Sequence, residues 1–401
     1  MTFKVLHIIP SINPLGGGSN LAAIEIVKAL RNIGVDAEIA TTNDINLEIV
    51  QSNLGEIQEF QNVPIRFFSR LFTEFKPLSE FKISLDYTRW LEQNIQNYKI
   101  VHIHSFFSYL CTKGAITARK YNTNYIITPH GQLDSWVINQ KKVKKSIYSF
   151  LWEKTNLNHA AAIHCATDQE VNDVQKYGIS APTFIAPLGV SQMTCKPDAK
   201  VKVRKLFCKI PQSTPIILFL SRIHPKKRID FLIQVLHHLK NKYEFHLIIA
   251  GMGNENYVKN IKMQVSELKL QKHVTFVSFI QGQQKELLLQ GSDIFALPSF
   301  GENFGIAVAE AMLAGLPIVI TPEVQISSDF QNEEVGFIIP GKIQIWVETI
   351  KKLLESGDMR KRMGERGKIF AASHYRWEIT GERLTSLYSQ ILDKNPSNLR
   401  Y

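Results

Sequence analysis

The sequence contains the stretch Ile294-Phe295-Ala296-Leu297, then Pro298-Ser299-Phe300-Gly301-Glu302-Asn303-Phe304-Gly305, then Ile306-Ala307-Val308-Ala309-Glu310. Its four apolar residues predict a buried strand, its glycines a tight turn, and its alanine-rich end a packed helix. A buried strand that leads through a short loop into a helix is the repeating unit of a parallel sheet. This stretch therefore predicts an α/β fold.

The same pattern recurs along the whole chain. In the first half, strands are predicted at Val5–Ile9, Ala37–Thr41, Ile100–His104, Tyr125–Thr128, Ala162–Cys165 and Thr183–Ala186. In the second half, they are predicted at Ile216–Leu220, His246–Ala250, Val274–Val277, Ile294–Leu297, Pro317–Ile320 and Gly336–Ile339. Segments with helical periodicity lie between them. Two parallel sheets in tandem follow from this pattern.

The length of the chain also requires more than one domain, because single hydrophobic cores stop growing beyond roughly 250–300 residues, and this chain has 401. The Pro-containing, basic stretch after Gly189 separates the two series of strands. We expect an N-terminal domain at residues 1–188 and a second domain at residues 189–372. A C-terminal segment at residues 373–401 ends in an amphipathic helix at about Trp377–Leu392, which needs a groove to lie in.

Composition and charge narrow the class of protein. With 44% hydrophobic and 21% charged residues, the chain has the composition of an ordinary folded protein. Its apolar stretches fall short of the roughly 20 residues of a membrane-spanning helix, and its N-terminus lacks the pattern of a secretory signal. We therefore expect a cytoplasmic protein. The net charge of +11 is patchy and is compatible with nucleic acid, a membrane surface or acidic substrates.

Ligands of such sheets bind at the carboxyl edges of the strands, and two loops of the first half lie there. Gly16-Gly17-Gly18 follows the first strand and opens a helix, where backbone N–H groups can approach a phosphate or sugar. A plain turn explains these glycines as well. His130 follows the fourth strand and can hydrogen-bond a sugar hydroxyl or a developing charge, although a structural role is the simpler explanation of a single histidine.

Two loops of the second half carry charge. Arg222 and Lys227 follow the strand Ile216–Leu220 and offer the two usual ways of holding a pyrophosphate, although a solvated basic turn is the alternative. In the opening stretch, free N–H groups near Gly305 and Ile306 form an anion site between Glu302 and Glu310.

The spacing of Glu302 and Glu310 tests a glycosidase hypothesis. If most of the eight steps between them are helical at about 1.5 Å each, their backbones lie up to about 12 Å apart. Glycosidase carboxylates stand about 5–9.5 Å apart around one bond. The spacing is better suited to an elongated ligand. One carboxylate would accept hydrogen bonds from a sugar at one end, the other from a ribose at the opposite end, and phosphates would lie between them.

Together, these residues resemble the family-four retaining glycosyltransferases, which have the GT-B fold. The most specific element is the E-x7-E motif from Glu302 to Glu310. Ser221-Arg222 with Lys227, and Gly251-Met252-Gly253, support the resemblance. Residues 128–136 and 187–190 resemble the subgroup that makes bacterial surface polysaccharides. The resemblance implies two Rossmann-like domains facing a cleft, with the last helix crossing back onto the N-terminal domain.

The resemblance also implies roles for single residues. Arg222 and Lys227 would neutralise the leaving diphosphate, Glu302 would bind the donor sugar, and Glu310 would bind the ribose. The other implied donor contacts are Gly17, Gly18, His130, Gly251, Gly253, Asn303, Phe304 and Gly305. The sequence departs from the common motif at Ser221, at Arg228, where Lys-Gly is usual, and at Ser278 in the base-binding loop.

The same resemblance implies retention at the anomeric carbon, with a nucleotide-diphosphate sugar as co-substrate and no cofactor. We find no Asp-x-Asp element for a divalent ion, so we expect catalysis without a metal. A glycan or a polyprenyl-diphosphate-linked molecule would be the acceptor. The lysine-rich segment Lys141–Trp152 can rest on an anionic membrane, at the inner face, or be an ordinary surface helix.

Three alternatives remain at this point. A nucleotide-sugar 2-epimerase has the same architecture and uses the same donors. A non-catalytic nucleotide-sugar-binding protein is the second alternative, although it would not need four chemically equipped loops. Nucleic-acid binding is the third, but the charge is not accompanied by a recognised motif, and we do not expect it.

Overall fold

The computed structural model describes residues 3–45, 53–74, 79–134 and 153–393. The chain forms two compact α/β units. Unit 1 consists of Met1–Gly189 together with Trp377–Tyr401, and unit 2 of Val190–Arg376. These divisions lie one and four residues after the boundaries expected from the sequence.

Unit 1 is built on an eight-stranded sheet with the order β3-β4-β2-β1-β5-β6-β7-β8. Its strands are β1 (Lys4–Ile8), β2 (Asp36–Thr42), β3 (Ile57–Phe60), β4 (Val63–Phe68), β5 (Ile100–His104), β6 (Asn124–Thr128), β7 (Ala162–Cys165) and β8 (Thr183–Ile185). Neighbouring strands are parallel except for β3 and β4, which form an antiparallel hairpin. The central strands are fully buried.

Helices pack around this sheet. They are α1 (Gly18–Asn32), α2 (Leu85–Asn94), α3 (Tyr109–Lys120), α4 (Lys154–Asn158) and α5 (Asp168–Lys176). Serine or threonine caps three of them, since Ser84, Ser108 and Thr167 accept hydrogen bonds from the first turns of α2, α3 and α5. These caps satisfy donors that the helix cannot pair itself.

Unit 2 contains a six-stranded, all-parallel sheet with the order β11-β10-β9-β12-β13-β14. Its strands are β9 (Ile216–Leu220), β10 (His246–Ala250), β11 (Val274–Val277), β12 (Ile294–Leu297), β13 (Ile318–Ile320) and β14 (Gly336–Ile338). Its helices are α6 (Ala199–Val203), α7 (Ile229–His237), α8 (Glu255–Glu267), α9 (Gly282–Gly291), α10 (Ile306–Leu313), α11 (Ile343–Glu355) and α12 (Gly357–His374).

The twelve strands predicted from the sequence all form, within one residue at either end. The α/β fold with two Rossmann-like sheets is therefore confirmed. The sequence prediction missed the hairpin of β3 and β4. Its two-residue turn, Gln61-Asn62, lacks glycine although both residues have positive φ angles of 53° and 63°, so the usual hairpin signal is absent.

The last helix, α13 (Trp377–Leu392), belongs to unit 1 and packs along α1, which confirms the groove that its amphipathic pattern requires. Gly381 allows this approach, because a Cβ there would lie 3.1 Å from the Cβ of Ala29. Tyr388, a residue of α13, is fully buried. The segment Lys141–Trp152 lies outside the described residues. Among the residues that are described, no helix has the length and apolar character to span a membrane.

Candidate active site

The basic loop of unit 2 leaves β9 at its carboxyl end and places Lys227 inside the protein. Residues Pro225–Lys227 form one turn of 3-10 helix, capped by the side chain of His224. The Lys227 side chain is 9% exposed, whereas Arg222, earlier in the loop, is exposed. A buried ammonium requires a partner of opposite charge.

Glu302 is that partner. Its carboxylate forms an ion pair with the Lys227 ammonium and is itself 15% exposed. Burial lowers the pKa of Lys227, while the negative charge of Glu302 raises it and the positive charge of Arg222 lowers it further. The structure thus brings together Lys227 and Glu302, two residues that are 75 positions apart in the sequence.

Backbone hydrogen bonds hold the two loops in register. The carbonyl of Lys226 accepts from the Phe300 amide at 2.8 Å and from the Ser299 hydroxyl at 3.2 Å. Glu302 is also tied to the loop after β13, because its amide donates to Glu323 and its carbonyl accepts from Gln325. The carboxylate therefore projects from a backbone that is fixed on two sides.

Helix α10 begins at Ile306, four residues after Glu302. Gly305 precedes its first residue with φ of +84°, a left-handed conformation that favours glycine. Phe304 is buried against Tyr375. The Oδ1 atom of Asn303 is buried without a hydrogen-bond partner in the described part of the chain, so this loop keeps an acceptor available beside the N–H groups of the helix start.

Glu310 lies about one turn after the start of α10. Its carboxylate forms an ion pair with the ammonium of Lys285 in α9, at 2.5 Å. Because α10 starts at Ile306, four of the eight steps from Glu302 to Glu310 are helical. The condition under which the backbone separation was derived, that most of the steps are helical, is therefore met for half of them. Glu302 and Glu310 nevertheless pair with different lysines, so the two carboxylates occupy separate electrostatic environments.

Gly251 and Gly253 follow β10 and lie against the start of the basic loop. A Cβ at Gly251 would stand 1.9 Å from the carbonyl oxygen of Ser221, and a Cβ at Gly253 would stand 2.0 Å from that of Ile223. Ile223 and Gly253 also form a parallel bridge. The backbones of the two loops touch, which explains both glycines without any ligand contact.

Arg228 occupies the position where the common motif has glycine, and its φ angle is +53°. Its guanidinium lies over two rings, 4.2 Å from the centroid of Phe231 and 4.4 Å from that of Phe300. These stacking contacts offset the cost of about 1–2 kcal/mol of a left-handed side-chain residue. The departure at Arg228 is thus accommodated by two aromatic neighbours.

In unit 1, the glycine loop connects β1 to α1. Gly17 has φ of +108°, and α1 begins at Gly18. Asn20 braces the loop, because its side-chain amide donates to the Asn13 carbonyl at 2.8 Å. Gly17 and Gly18 therefore lie at a helix start at the carboxyl edge of the sheet, which is a geometry suited to an anion or a sugar.

His130 lies at the same edge, after β6, and is partly buried. It has a left-handed backbone with φ of +52°, followed by Gly131 at +72°. Buried Glu170 braces this strained turn, because one of its oxygens accepts from the Gly131 amide and the other from the Ala166 amide, both at 2.7 Å. Strain that surrounding groups maintain in this way is common at functional sites.

Behind His130 lies a cluster of buried histidines that sequence analysis did not predict. One hydrogen-bonded chain runs from His130 Nε2 to His104 Nδ1 at 3.1 Å, and from His104 Nε2 to His7 Nδ1 at 2.9 Å. Burial lowers the pKa of all three, that of His130 to about 3. They are therefore neutral at physiological pH.

A second chain crosses the sheet beside the first and has a defined direction. The Ala186 carbonyl can only accept, so His164 Nε2 donates to it at 2.9 Å and His164 Nδ1 accepts from the Thr128 hydroxyl at 2.8 Å. Thr128 then accepts from His102 Nε2 at 2.6 Å, and His102 Nδ1 accepts from the Tyr388 hydroxyl at 2.6 Å.

Lys285, Glu170 and the histidines behind His130 were missed for identifiable reasons. Lys285 follows helical spacing and has no sequence neighbour that indicates a site. The histidines come from strands that are distant in sequence but paired in the sheet, where His7 lies opposite His102. A parallel register between β1 and β5, had it been predicted, would have found this pair.

Two family models match the chain and together span most of it. The model described as Glycosyltransferase Family 4 matches residues 16–192, and the model described as Glycosyl transferases group 1 matches residues 207–370. The D-inositol 3-phosphate glycosyltransferase of Xylanimonas cellulosilytica is 22% identical over 395 residues, which cover 95% of this chain and 93% of that protein.

Solved structures show the same fold. Sucrose-phosphate synthase from Thermosynechococcus elongatus superimposes with a TM-score of 0.78 at 17% identity, covering 98% of this chain and 99% of the other. HepE from Anabaena, solved in complex with UDP-glucose, gives a TM-score of 0.77 at 19% identity, with coverages of 96% and 100%. These neighbours define the GT-B class of glycosyltransferase fold. The chain belongs to the family-four glycosyltransferases.

Proposed function

We propose that this protein is a retaining, metal-independent hexosyltransferase that uses a nucleotide-diphosphate sugar as donor. The observation that carries the proposal is the buried Lys227–Glu302 pair, held at the carboxyl edge of the unit 2 sheet beside the start of α10. HepE, which has the same fold, was solved with UDP-glucose. The proposed reaction requires no cofactor.

The reaction breaks the bond between the anomeric carbon and the diphosphate, so negative charge develops on the leaving group. Lys227, Arg222 and the N–H groups at the start of α10 supply the compensating positive charge in a fixed geometry. Without donor, Glu302 pairs with Lys227 and raises the pKa of the Lys227 ammonium, against the lowering by burial. A bound diphosphate would take over part of that role and leave Glu302 available to accept from sugar hydroxyls.

The remaining donor contacts follow from the same arrangement. Glu310 would accept from the ribose hydroxyls and share its charge with Lys285. The amides of Phe304 and Gly305, with Asn303, would contact the sugar or the phosphate. Gly251 and Gly253 would act through the shape of the loop they form against Ser221 and Ile223. In unit 1, His130, Gly17 and Gly18 would contact the donor sugar or the acceptor.

Retention is proposed to occur by attack of the acceptor hydroxyl on the same face of the sugar from which the diphosphate leaves. The acceptor oxygen forms a bond to the anomeric carbon, the bond to the diphosphate oxygen breaks, and the hydroxyl proton passes to that phosphate oxygen. The acceptor is proposed to be a glycan or a polyprenyl-diphosphate-linked sugar in cell-surface polysaccharide synthesis, which residues 128–136 and 187–190 suggest.

A donor screen with matched lysine variants tests the proposal. Thermal shift with a panel of nucleotide sugars identifies the donor, and its transfer or slow hydrolysis is then followed. We expect Lys227→Ala and Glu302→Ala to lower the rate by about 100- to 1000-fold, as does loss of one charge-stabilising group elsewhere. The control is Lys259→Ala, which removes an exposed lysine of the same unit. Near-normal rates in the two site variants would refute the assignment.

The same assay separates the two alternative functions. With donor but no acceptor, a 2-epimerase changes the sugar, whereas a transferase gives at most slow release of the nucleoside diphosphate. A non-catalytic protein binds the donor and leaves it unchanged both with and without an acceptor.

A cytoplasmic location, peripheral at the inner face of the membrane, stays a prediction from the sequence. The membrane association depends on the lysine-rich segment Lys141–Trp152, whose charges and apolar residues suit an anionic lipid surface. Co-sedimentation with anionic but not neutral vesicles, lost when the four lysines are replaced, would support it. Equal binding to both vesicle types, or to neither, would argue against it.

A further inference from the structure

His130 is held at the inner end of its ring by a chain of buried imidazoles, and this chain ends inside the protein. The Nε2 atom of His130 bonds to His104, and His104 bonds to Nδ1 of His7. His7 and His104 are fully buried. Within the described residues, the other ring nitrogen of His7, Nε2, is buried and has no hydrogen-bond partner.

The unpaired Nε2 atom of His7 fixes which ring donates and which accepts in each hydrogen bond between the imidazoles. Each neutral imidazole carries one N–H, so each hydrogen bond along the chain has one donor and one acceptor. If His7 accepted at Nδ1, its proton would lie on Nε2 as a buried N–H without an acceptor. Buried donors without acceptors are rarer than unpaired acceptors and cost about 1–3 kcal/mol. His7 therefore donates from Nδ1.

The remaining protons follow from that step. His104 accepts at Nε2, so its proton lies on Nδ1, from which it donates to Nε2 of His130. His130 in turn carries its proton on Nδ1. Burial lowers the pKa of each of the three histidines, which keeps each ring neutral and limits it to one proton.

We propose that His104 and His7 are positioning residues that fix His130 as an Nδ1–H donor for a hydroxyl of the bound sugar. The inference rests on the proposed function, in which His130 contacts the sugar. A ring whose tautomer is fixed before binding offers a donor of known direction, and it selects for a sugar oxygen that can accept at that point. A His130 free to change tautomer would present a lone pair there as readily as a proton.

A metal ion is the competing explanation for three buried histidines. The ligand atoms of His7, His102 and His104 lie within 4.8 Å of one another. Both ring nitrogens of His102 and of His104, however, are already engaged by protein groups at 2.6–3.1 Å. Binding a metal would require several of these hydrogen bonds to break.

The tautomers can be measured directly on the full-length protein. With histidine labelled with ¹⁵N, long-range couplings between ring protons and ring nitrogens show which nitrogen of each ring carries the proton. We expect Nδ1–H for His130, His104 and His7, and Nε2–H for His102 and His164. A proton on Nε2 of His130, or rapid exchange between its tautomers, would overturn the proposal. One equivalent of zinc in the purified protein, lost in the His104 variants, would overturn it as well.

A pair of substitutions at His104 tests the functional consequence. In His104→Gln, the amide can still donate to His130 and accept from His7, whereas His104→Leu removes both interactions. We expect His104→Leu to lower kcat/KM for the donor sugar by about 10- to 100-fold with the spectrum of His130 changed, and His104→Gln to stay within about threefold of the wild type. Equal losses in both variants, at equal thermal stability, would indicate a merely structural role and contradict the proposal.

The contact between His130 and the sugar and the positioning of His130 by His104 and His7 can be refuted separately. If His130→Ala transfers sugar at the normal rate, the contact between His130 and the sugar is absent, and the proposal fails with it even where the spectrum gives the expected tautomers. If His130→Ala is impaired but the wild-type spectrum shows Nε2–H, the proposed function stands and the positioning inference is wrong. The spectrum needs no variant, so failure of His104→Leu to fold leaves this test in place.

Discussion

Unit 1 should lose stability steeply as the pH falls, because neutral histidines fill the interior of its sheet. Burial lowers the pKa of these residues from 6.5, to about 3 for His130 and to about 4 for His164. The residues concerned are His7, His102, His104, His130 and His164. In the unfolded chain they regain an ordinary pKa near 6.5.

The sign of the effect follows from these values. The folded pKa lies below the unfolded one, so as the pH falls through 6.5 the unfolded chain binds protons that the folded chain does not. The stability is therefore fully present above pH 6.5 and is lost below it. Between pH 7.5 and 5.5 each histidine removes on the order of 1 kcal/mol, and the five together remove several kcal/mol. Typical domains have only about 5–15 kcal/mol in total.

His164→Gln isolates one of the five contributions. The amide can still donate to the Ala186 carbonyl and accept from Thr128, the two groups that bond to His164, but it does not titrate. The difference in the free energy of unfolding between pH 7.5 and 5.5 should shrink by on the order of 1 kcal/mol. The control is His238→Gln, which replaces an exposed histidine of unit 2 and should leave that difference unchanged.

Urea titrations at pH 7.5, 6.5 and 5.5, each sampled by a short thermolysin pulse, measure this effect. Mass spectrometry of the surviving fragments assigns each transition to unit 1 or unit 2, which a bulk signal from two units would mix. The reasoning would be refuted if wild-type unit 1 kept its stability down to pH 5. It would also be refuted if His164→Gln retained the full pH dependence.

Three further outcomes are expected. Gly253→Ala should destabilise unit 2 by about 1–3 kcal/mol in urea titrations, because its Cβ meets a backbone carbonyl at 2.0 Å; Gly357→Ala, with no atom closer than 3.7 Å, should be nearly neutral. Calorimetry should show that Glu310→Gln weakens binding of the donor's nucleoside diphosphate by about tenfold, whereas Glu302→Gln, which leaves the charge of Lys227 without its partner, should affect binding of the sugar and should not weaken binding of the nucleoside diphosphate. Tyr388→Phe should cost about 1–3 kcal/mol in unit 1, visible as faster amide exchange in α13; unchanged exchange would contradict it.

Continuous buried strands were the easiest part of the fold to predict from sequence. Strands such as Ile216–Leu220 and Ile294–Leu297 are apolar throughout, since both faces of a parallel sheet are covered. The hairpin of β3 and β4 was not predictable in this way. Gln58 and Glu59 interrupt β3, and its turn uses Gln61 and Asn62 in conformations that glycine usually adopts.

The candidate site was predictable where its charged residues and glycine lie in one continuous stretch of sequence. Glu302, Gly305 and Glu310 lie in a single stretch, and their order along the loop and helix follows from the sequence. The pairing of Lys227 with Glu302 and of Lys285 with Glu310 depends on which loops and helices become neighbours in the sheet. Side chains that meet through strand order and register leave no local pattern for sequence analysis to find.

The hydrogen-bonded histidine chains are a second case in which sequence could not predict the contacts. His7, His104 and His130 come from three strands or their ends, and their contacts depend on β1, β5 and β6 lying side by side. The sequence around His130 carries no signal of the rings of His104 and His7 that lie behind it. The role of a histidine at a site depends on the partner of its second ring nitrogen, which only the structure supplies.

Unit 1 is discontinuous in sequence, because the whole of unit 2 is translated between Gly189 and Trp377. During synthesis, the N-terminal sheet must therefore wait for roughly 190 residues before α13 emerges and covers α1. Over that interval, at about 5–20 residues per second, the surface around Ala29 and the ring of His102 lack their final cover. The nascent chain is thus a candidate client for chaperones during that interval.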